Sequence, residues 1–186
     1  RVVERPELNV RVNRILMLGA FAIAALAFIA APLPAVQWSN KPFPGFLVEE
    51  TVVVDPIPAI NQGWSGAREG IHWPQHITRV AGQAVVDSET YQAVINAHEI
   101  GDRIPVFARL EDGSEQLYPN VVLTAFPTVD MFRLFWLPYL VGAVYLGIGA
   151  WIYRLRGQTR SGRALALFCI VTALVSALIF DSYTTH

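Results

Sequence analysis

Three long apolar runs divide the chain and predict three helices that cross a membrane. They cover 15–31, 134–153 and 164–180, and none of them contains a charged residue or a histidine. Each run has about 17–20 residues, enough to cross a hydrocarbon core of roughly 30 Å at about 1.5 Å per residue. Lipid offers backbone groups no hydrogen-bond partner, so each run should be helical.

The pattern changes between the first two apolar runs, where short β-branched segments alternate with turns rich in glycine and proline. Residues 46–54 (FLVEETVVV) predict a strand because of their β-branched content. Residues 66–73 predict a short helical turn. Residues 77–80 and 84–86 predict two brief strands on either side of a tight turn.

The rest of this region predicts a longer helix and a hairpin. A polar residue at 87–88 can cap a helix over 89–97, in which apolar residues recur at a spacing of three to four. Residues 103–110 and 116–123 predict a hairpin across 111–114 (EDGS), the clearest turn signal in the chain. Together these elements predict an α+β module of about 80 residues, enough to form a small core of its own.

The distribution of charge predicts the orientation of the chain in a membrane. Of the 14 lysine and arginine residues, eight lie in 1–14 or 154–163, whereas 34–133 carries six cations against twelve acids. By the positive-inside rule, the two basic segments should face the cytoplasm. The acidic region and the tail at 181–186 should then lie on the outer side.

These patterns predict seven consecutive segments. They are a cytoplasmic N-terminal segment (1–14), a first transmembrane helix (15–33), an extracytoplasmic domain (34–129), a second transmembrane helix (130–153), a basic cytoplasmic loop (154–163), a third transmembrane helix (164–180) and an extracytoplasmic tail (181–186).

Composition argues against several classes of function. The net charge of −1 does not suggest a nucleic-acid partner. Haem, pigment and ion pathways in helix bundles usually need a histidine or another ionisable group inside the membrane, and the three apolar runs contain none. We therefore expect neither a cytochrome, a pigment-binding antenna nor a pump. Cys169 is a single thiol, so it is expected to be packing filler between helices.

No catalytic, metal or cofactor site is predicted. His72 and His76 have the four-residue separation used for zinc on a helix, but Pro74 between them would break that helix. Gly63-Trp64-Ser65-Gly66-Ala67 lacks the final glycine of a nucleophile elbow. We therefore predict a protein that is not an enzyme.

Two glycine-containing motifs in the α+β region stand in an order found in a known domain family. Ala67-Arg68-Glu69-Gly70-Ile71 has the form A-x-x-G-[LI], and Val80-Ala81-Gly82-Gln83-Ala84-Val85 has the form x-x-G-x-x-V. With the strand after Pro44-Gly45 and the later hairpin, residues 45–125 resemble a bacterial-type PDZ domain. One departure is Trp73-Pro74-Gln75-His76, which replaces the usual Gly-Asp before the central strand, so the turn there must be built differently.

The resemblance implies a small β-sandwich or barrel with two helices and a groove between a strand and the longer helix. An extended peptide would add to the strand, and backbone amides of the loop entering it would hold a terminal carboxylate. The peptide-binding residues implied by the resemblance are Gly45, Phe46, Leu47 and Val48, with Tyr91 and Ile95 on the helix.

The whole arrangement is similar to the N-terminal sensory region of bacterial membrane signalling proteins, such as multi-span sensor kinases. We expect a non-catalytic recognition or sensing module of the bacterial inner membrane. Its expected partners are membrane lipids, an outer peptide or protein, and other membrane subunits. The chain starts without methionine and stops just after the third run, so we expect it to be part of a longer protein.

An alternative is an accessory structural subunit of a large respiratory or photosynthetic membrane complex. Its helices would pack against a core, and its outer domain would cover or dock another component. A membrane protease with a PDZ domain is disfavoured, because the residues offer it neither a nucleophile nor a metal site.

Overall fold

The computed structural model describes residues 6–57 and 63–184, with 6–10 and Tyr183 described by their backbone alone. The helices are α1 (Pro6–Ala30), α2 (Pro32–Ser39), α3 (Ser65–Glu69), α4 (Ser88–Asn96), α5 (Thr128–Met131), α6 (Leu137–Arg156), α7 (Arg160–Leu178) and α8 (Asp181–Thr184), with a π-helical turn at Phe132–Trp136. The strands are β1 (His76–Val80), β2 (Gln83–Ala84), β3 (Arg103–Arg109) and β4 (Glu115–Val122).

The chain forms two compact units. A helical unit contains the residues up to Pro34 together with Phe132–Ile179, and an α+β unit contains Ala35–Met131 together with the residues from Phe180 onward. The predicted segments 1–14 and 181–186 lie partly outside the described residues.

Three helical stretches among the described residues are long and apolar enough to cross a membrane. They are Arg11–Ser39, Thr128–Arg156 and Arg160–Leu178. The prediction of three long apolar helices is therefore confirmed. The first stretch includes a break at Ala31, after which α2 starts on a proline, a residue well suited to the first turn of a helix.

Glycines on α6 allow it to pack closely against neighbouring helices in the helical unit. A Cβ at Gly142 would lie 2.8 Å from the Phe28 ring and 2.9 Å from the Ala173 carbonyl oxygen. A Cβ at Gly149 would lie 2.9 Å from the Cβ of Cys169, which is buried. Helices in lipid depend on such close van der Waals contact, so small residues here favour their association.

The α+β unit contains a four-stranded antiparallel sheet with strand order β2-β1-β3-β4. The predicted hairpin is confirmed as β3 and β4, and the predicted longer helix is confirmed as α4. Asp87 caps α4, because its Oδ1 accepts from the backbone N–H of Thr90 at 2.8 Å. A core of buried apolar residues joins the sheet, through Ile77, Ile104 and Val106, to Val94 and Ile95 of α4.

The prediction of a continuous strand over 46–54 is wrong, because these residues form a tight hairpin. The backbone N–H of Glu49 donates to Val53 O at 2.8 Å, and that of Asp55 donates to Leu47 O at 2.8 Å. The chain reverses through Val52, whose φ is 58°, a left-handed conformation unusual for a β-branched residue. Folding back lets Val48 and Val54 face the core together while the charged tip stays exposed.

Candidate binding groove

A cavity of about 390 Å³ lies between the first arm of this hairpin and α4, entirely within the α+β unit. It brings together five of the six residues implied by the sequence: Phe46, Leu47, Val48, Tyr91 and Ile95. The other residues lining the cavity are Trp38, Lys41, Pro42, Phe43, Pro44, Ser88, Glu89, Gln92, Ala93, Asn96 and Thr184. We call this cavity the groove.

Gly45, the sixth residue, does not line the groove but positions the strand beside it. Its φ is 81°, and a Cβ would collide with the backbone nitrogens of Ser65 and Gly66 at the start of α3. The Gly45 carbonyl accepts from Ala67 N at 3.2 Å, and the Pro44 carbonyl accepts from Gly66 N at 3.0 Å. Gly45 is therefore needed for the loop to lie against α3.

The hairpin presents an unpaired backbone edge beside the groove. Leu47 and Glu49 bond to the second arm of the hairpin, through the Leu47 carbonyl and the Glu49 N–H. Backbone groups of successive residues in a strand point to opposite sides, so the N–H and C=O of Val48 point away from that arm. In the described part of the chain neither group has a hydrogen-bond partner. Such an edge can pair with a further strand.

The opposite wall is α4, and its start is tied to the hairpin. The backbone N–H of Ser88 donates to Glu50 O at 3.2 Å, which joins the first turn of α4 to the hairpin tip. The Phe46 and Tyr91 rings pack with their centroids 6.0 Å apart. Both walls of the groove are therefore fixed before any ligand binds.

Two buried hydrogen-bond donors on residues lining the groove lack acceptors. Among the described residues, the buried side-chain atoms without a partner are Trp38 Nε1, Tyr91 Oη and His76 Nδ1, and the first two belong to the groove lining. Tyr91 is 2% exposed, and burial raises the pKa of its phenol. The phenol therefore keeps its proton and remains a hydrogen-bond donor.

Charged residues at the groove are limited to one cation and one acid. Lys41 and Glu89 both line it and are solvent-exposed. Within the described ranges Lys41 has no ion pair. The groove can therefore accept an apolar segment with a negative group placed near Lys41.

Aromatic packing fixes one end of the groove. The Trp38 ring contacts Phe43, Phe126 and Phe180 at centroid distances of 6.0, 5.0 and 5.6 Å. Trp38, Lys41 and Thr184 were not identified from the sequence. Lys41 stands only five residues before Phe46, so its charge was the one feature of the sequence that could have assigned it to the groove.

The described residues contain no group of three or more His, Cys, Asp or Glu side chains that could hold a metal ion. His72 Nδ1 lies 2.8 Å from Trp73 O. Tyr118 Oη donates to Gln75 Oε1 at 3.1 Å, so this hydroxyl already has a hydrogen-bond partner within the α+β unit.

Comparison with protein-family models, with curated proteins and with solved structures finds no match to this chain.

Proposed function

We propose that this chain is a membrane-anchored recognition module whose α+β unit binds an extended peptide or protein segment in the groove. The observation that carries the proposal is the unpaired edge at Val48 beside a cavity with two unpartnered buried donors. Buried donors normally find partners in a folded protein. A ligand with backbone carbonyls would supply them.

The geometry is suited to binding by strand addition. A peptide strand would pair with the N–H and C=O of Val48 and place alternate side chains against Tyr91 and Ile95. The volume of about 390 Å³ lies within the range of ligand sites. Lys41 would attract a terminal carboxylate or an acidic side chain.

A PDZ-like assignment is supported by the order of the elements. A hairpin is followed by the short helix α3, the pair β1 and β2, the longer helix α4, and the hairpin of β3 and β4. In the PDZ family the peptide site lies between a strand and the longer helix, and in this chain the groove lies between the first arm of the 46–54 hairpin and α4.

We further propose that the three apolar helices cross the inner membrane of a bacterium. The N-terminus and the basic loop would face the cytoplasm, and the α+β unit would face the periplasm. The support is the concentration of arginine in those two segments. A signalling role as part of a longer protein, with other membrane subunits as partners, belongs to the same proposal.

The test is a binding assay on the full chain in lipid nanodiscs. A library of short synthetic peptides is screened in free-acid and amide forms, and selected peptides are titrated by fluorescence anisotropy. We expect saturable binding that weakens in a Lys41→Gln variant for the free-acid form, but not in an Arg68→Gln control outside the groove. If a correctly folded chain binds no peptide in either form, the proposal fails. Stoichiometric co-purification with redox or pigment subunits would instead favour the accessory-subunit alternative.

A further inference from the structure

A second cavity, of about 380 Å³, lies within the helical unit where its arginines are concentrated. It is bounded by α1, the end of α6, the following loop and the first turn of α7. The described residues that line it include Arg11, Arg14, Arg154, Leu155 and Arg163. Among the described residues that line the cavity, four are cationic and none is acidic, so this part of the cavity is suited to an anion.

Local hydrogen bonds fix the loop that forms part of the cavity. Thr159 Oγ1 caps α7 by accepting from Gly162 N at 3.0 Å. Arg163 Nη1 donates to Gly157 O at 3.3 Å and to Gln158 O at 3.2 Å. These bonds tie the Arg163 side chain to the loop, so Arg163 is the cavity arginine that is held by the protein.

The other three arginines of the cavity have no hydrogen-bond or ion-pair partner among the described residues. Arg11, Arg14 and Arg154 form no hydrogen bond or ion pair with the described residues. The one ion pair among the described residues joins Arg79 and Glu115 in the α+β unit. A guanidinium group binds phosphate through two parallel hydrogen bonds. Several unpaired guanidinium groups around one cavity therefore favour a phosphate group.

An apolar stripe on α6 favours a phospholipid over a free phosphate ion as the ligand of this cavity. The exposed side chains Val144, Ile148, Trp151 and Leu155 recur at a spacing of three to four and therefore share one face. Leu155, at the end of this stripe, is 65% exposed and lines the cavity. A phosphate bound in the cavity would thus lie beside an apolar surface that matches an acyl chain.

We propose that this cavity binds the phosphate of an anionic phospholipid headgroup, with the acyl chains along the apolar stripe of α6. Basic pockets between helices on the cytoplasmic side are suited to such headgroups. The proposal rests on the membrane insertion proposed above, but it does not depend on peptide binding in the groove.

The test is native mass spectrometry of the full chain in neutral detergent with equal amounts of phosphatidylglycerol and phosphatidylcholine. We expect preferential retention of phosphatidylglycerol. The variant Arg14→Gln/Arg154→Gln removes two cavity cations that have no protein hydrogen bonds, and each loss should weaken retention about fivefold. The control Arg156→Gln/Arg160→Gln removes the same charge from residues that do not line the cavity, and it should retain the lipid.

Three results would overturn the proposal. Equal loss in both double variants would mean general attraction by the basic segments. No preference between the two lipids in the unaltered chain would exclude a headgroup site. Displacement of the lipid by millimolar inorganic phosphate would identify a site for the free ion. Peptide binding in the groove, measured on the same preparations, tests the proposed function separately.

Discussion

The unpartnered hydroxyl of Tyr91 gives the sharpest prediction, because one substitution should have opposite effects on stability and on binding. A buried donor without an acceptor costs about 1–3 kcal/mol, and Tyr91 is 2% exposed without a partner among the described residues. Tyr91→Phe keeps the ring and removes the hydroxyl. It should therefore raise the free energy of unfolding of the α+β unit by about 1–3 kcal/mol.

The same variant should bind peptides more weakly. A hydrogen bond from the phenol to the ligand contributes about 0.5–1.5 kcal/mol, which corresponds to a rise in Kd of roughly twofold to tenfold. Tyr118→Phe is the matched control, because Tyr118 Oη already donates to Gln75 Oε1 at 3.1 Å. That control should lower the free energy of unfolding by about 1 kcal/mol.

Hydrogen exchange measured by mass spectrometry on the full chain can compare these variants. The slowest amides of β3, next to fully buried residues such as Val106, report the free energy of opening of the α+β unit. If Tyr91→Phe speeds their exchange as Tyr118→Phe does, the Tyr91 hydroxyl has a partner in the free protein. The inference that it is available to a ligand would then be wrong.

Three further predictions concern packing, capping and pH. Gly142→Ala should lower the free energy of unfolding of the helical unit in detergent by about 1–3 kcal/mol. Gly147→Ala should be nearly neutral, because outside the local helix backbone no described atom lies within 4 Å of its added Cβ. Equal effects of the two substitutions in circular dichroism melts would contradict the packing. Asp87→Ala should lower the stability of α4 by removing its cap, and Asp87→Asn should preserve most of that stability. Faster amide exchange of α4 in both variants would mean that the cap depends on charge. Hydrogen bonds from Thr90 lower the pKa of Asp87, so the stability this carboxylate contributes should be lost as pH falls through its folded pKa. Burial raises the pKa of Tyr91 above its ordinary value of 10.0. The free energy of unfolding should therefore fall as pH rises above 10.0, and it should fall less steeply in Tyr91→Phe. Identical alkaline unfolding curves for the two proteins would refute this.

The sequence predicted those elements whose signals are local and strong. The three apolar runs lack any charge, so their helices were evident from composition alone. Residues 111–114 form the turn of the β3–β4 hairpin, where Leu110 N donates to Ser114 O at 2.8 Å. The capped helix α4 was likewise predicted, because a polar residue stands directly before its first turn.

The error at 46–54 has a physical cause. Both arms of the hairpin are β-branched or apolar, and the turn residue Val52 belongs to a type that favours strands. The core outweighs that preference, because Val52 is fully buried. Residues such as Trp38 and Thr184 could not be assigned to the groove from the sequence, since only the fold brings them beside Phe46.

The two chain segments that close the groove continue directly, along the backbone, into apolar helices. Thr184 ends α8, which begins three residues after the last residue of α7. Trp38 lies in α2, which begins two residues after the last residue of α1. A ligand that displaces the side chain of Thr184 or Trp38 would therefore act on backbone that is continuous with an apolar helix. If the chain has the topology and function proposed above, occupancy of the groove would act on the helices through the backbone alone, without a separate transmitting domain.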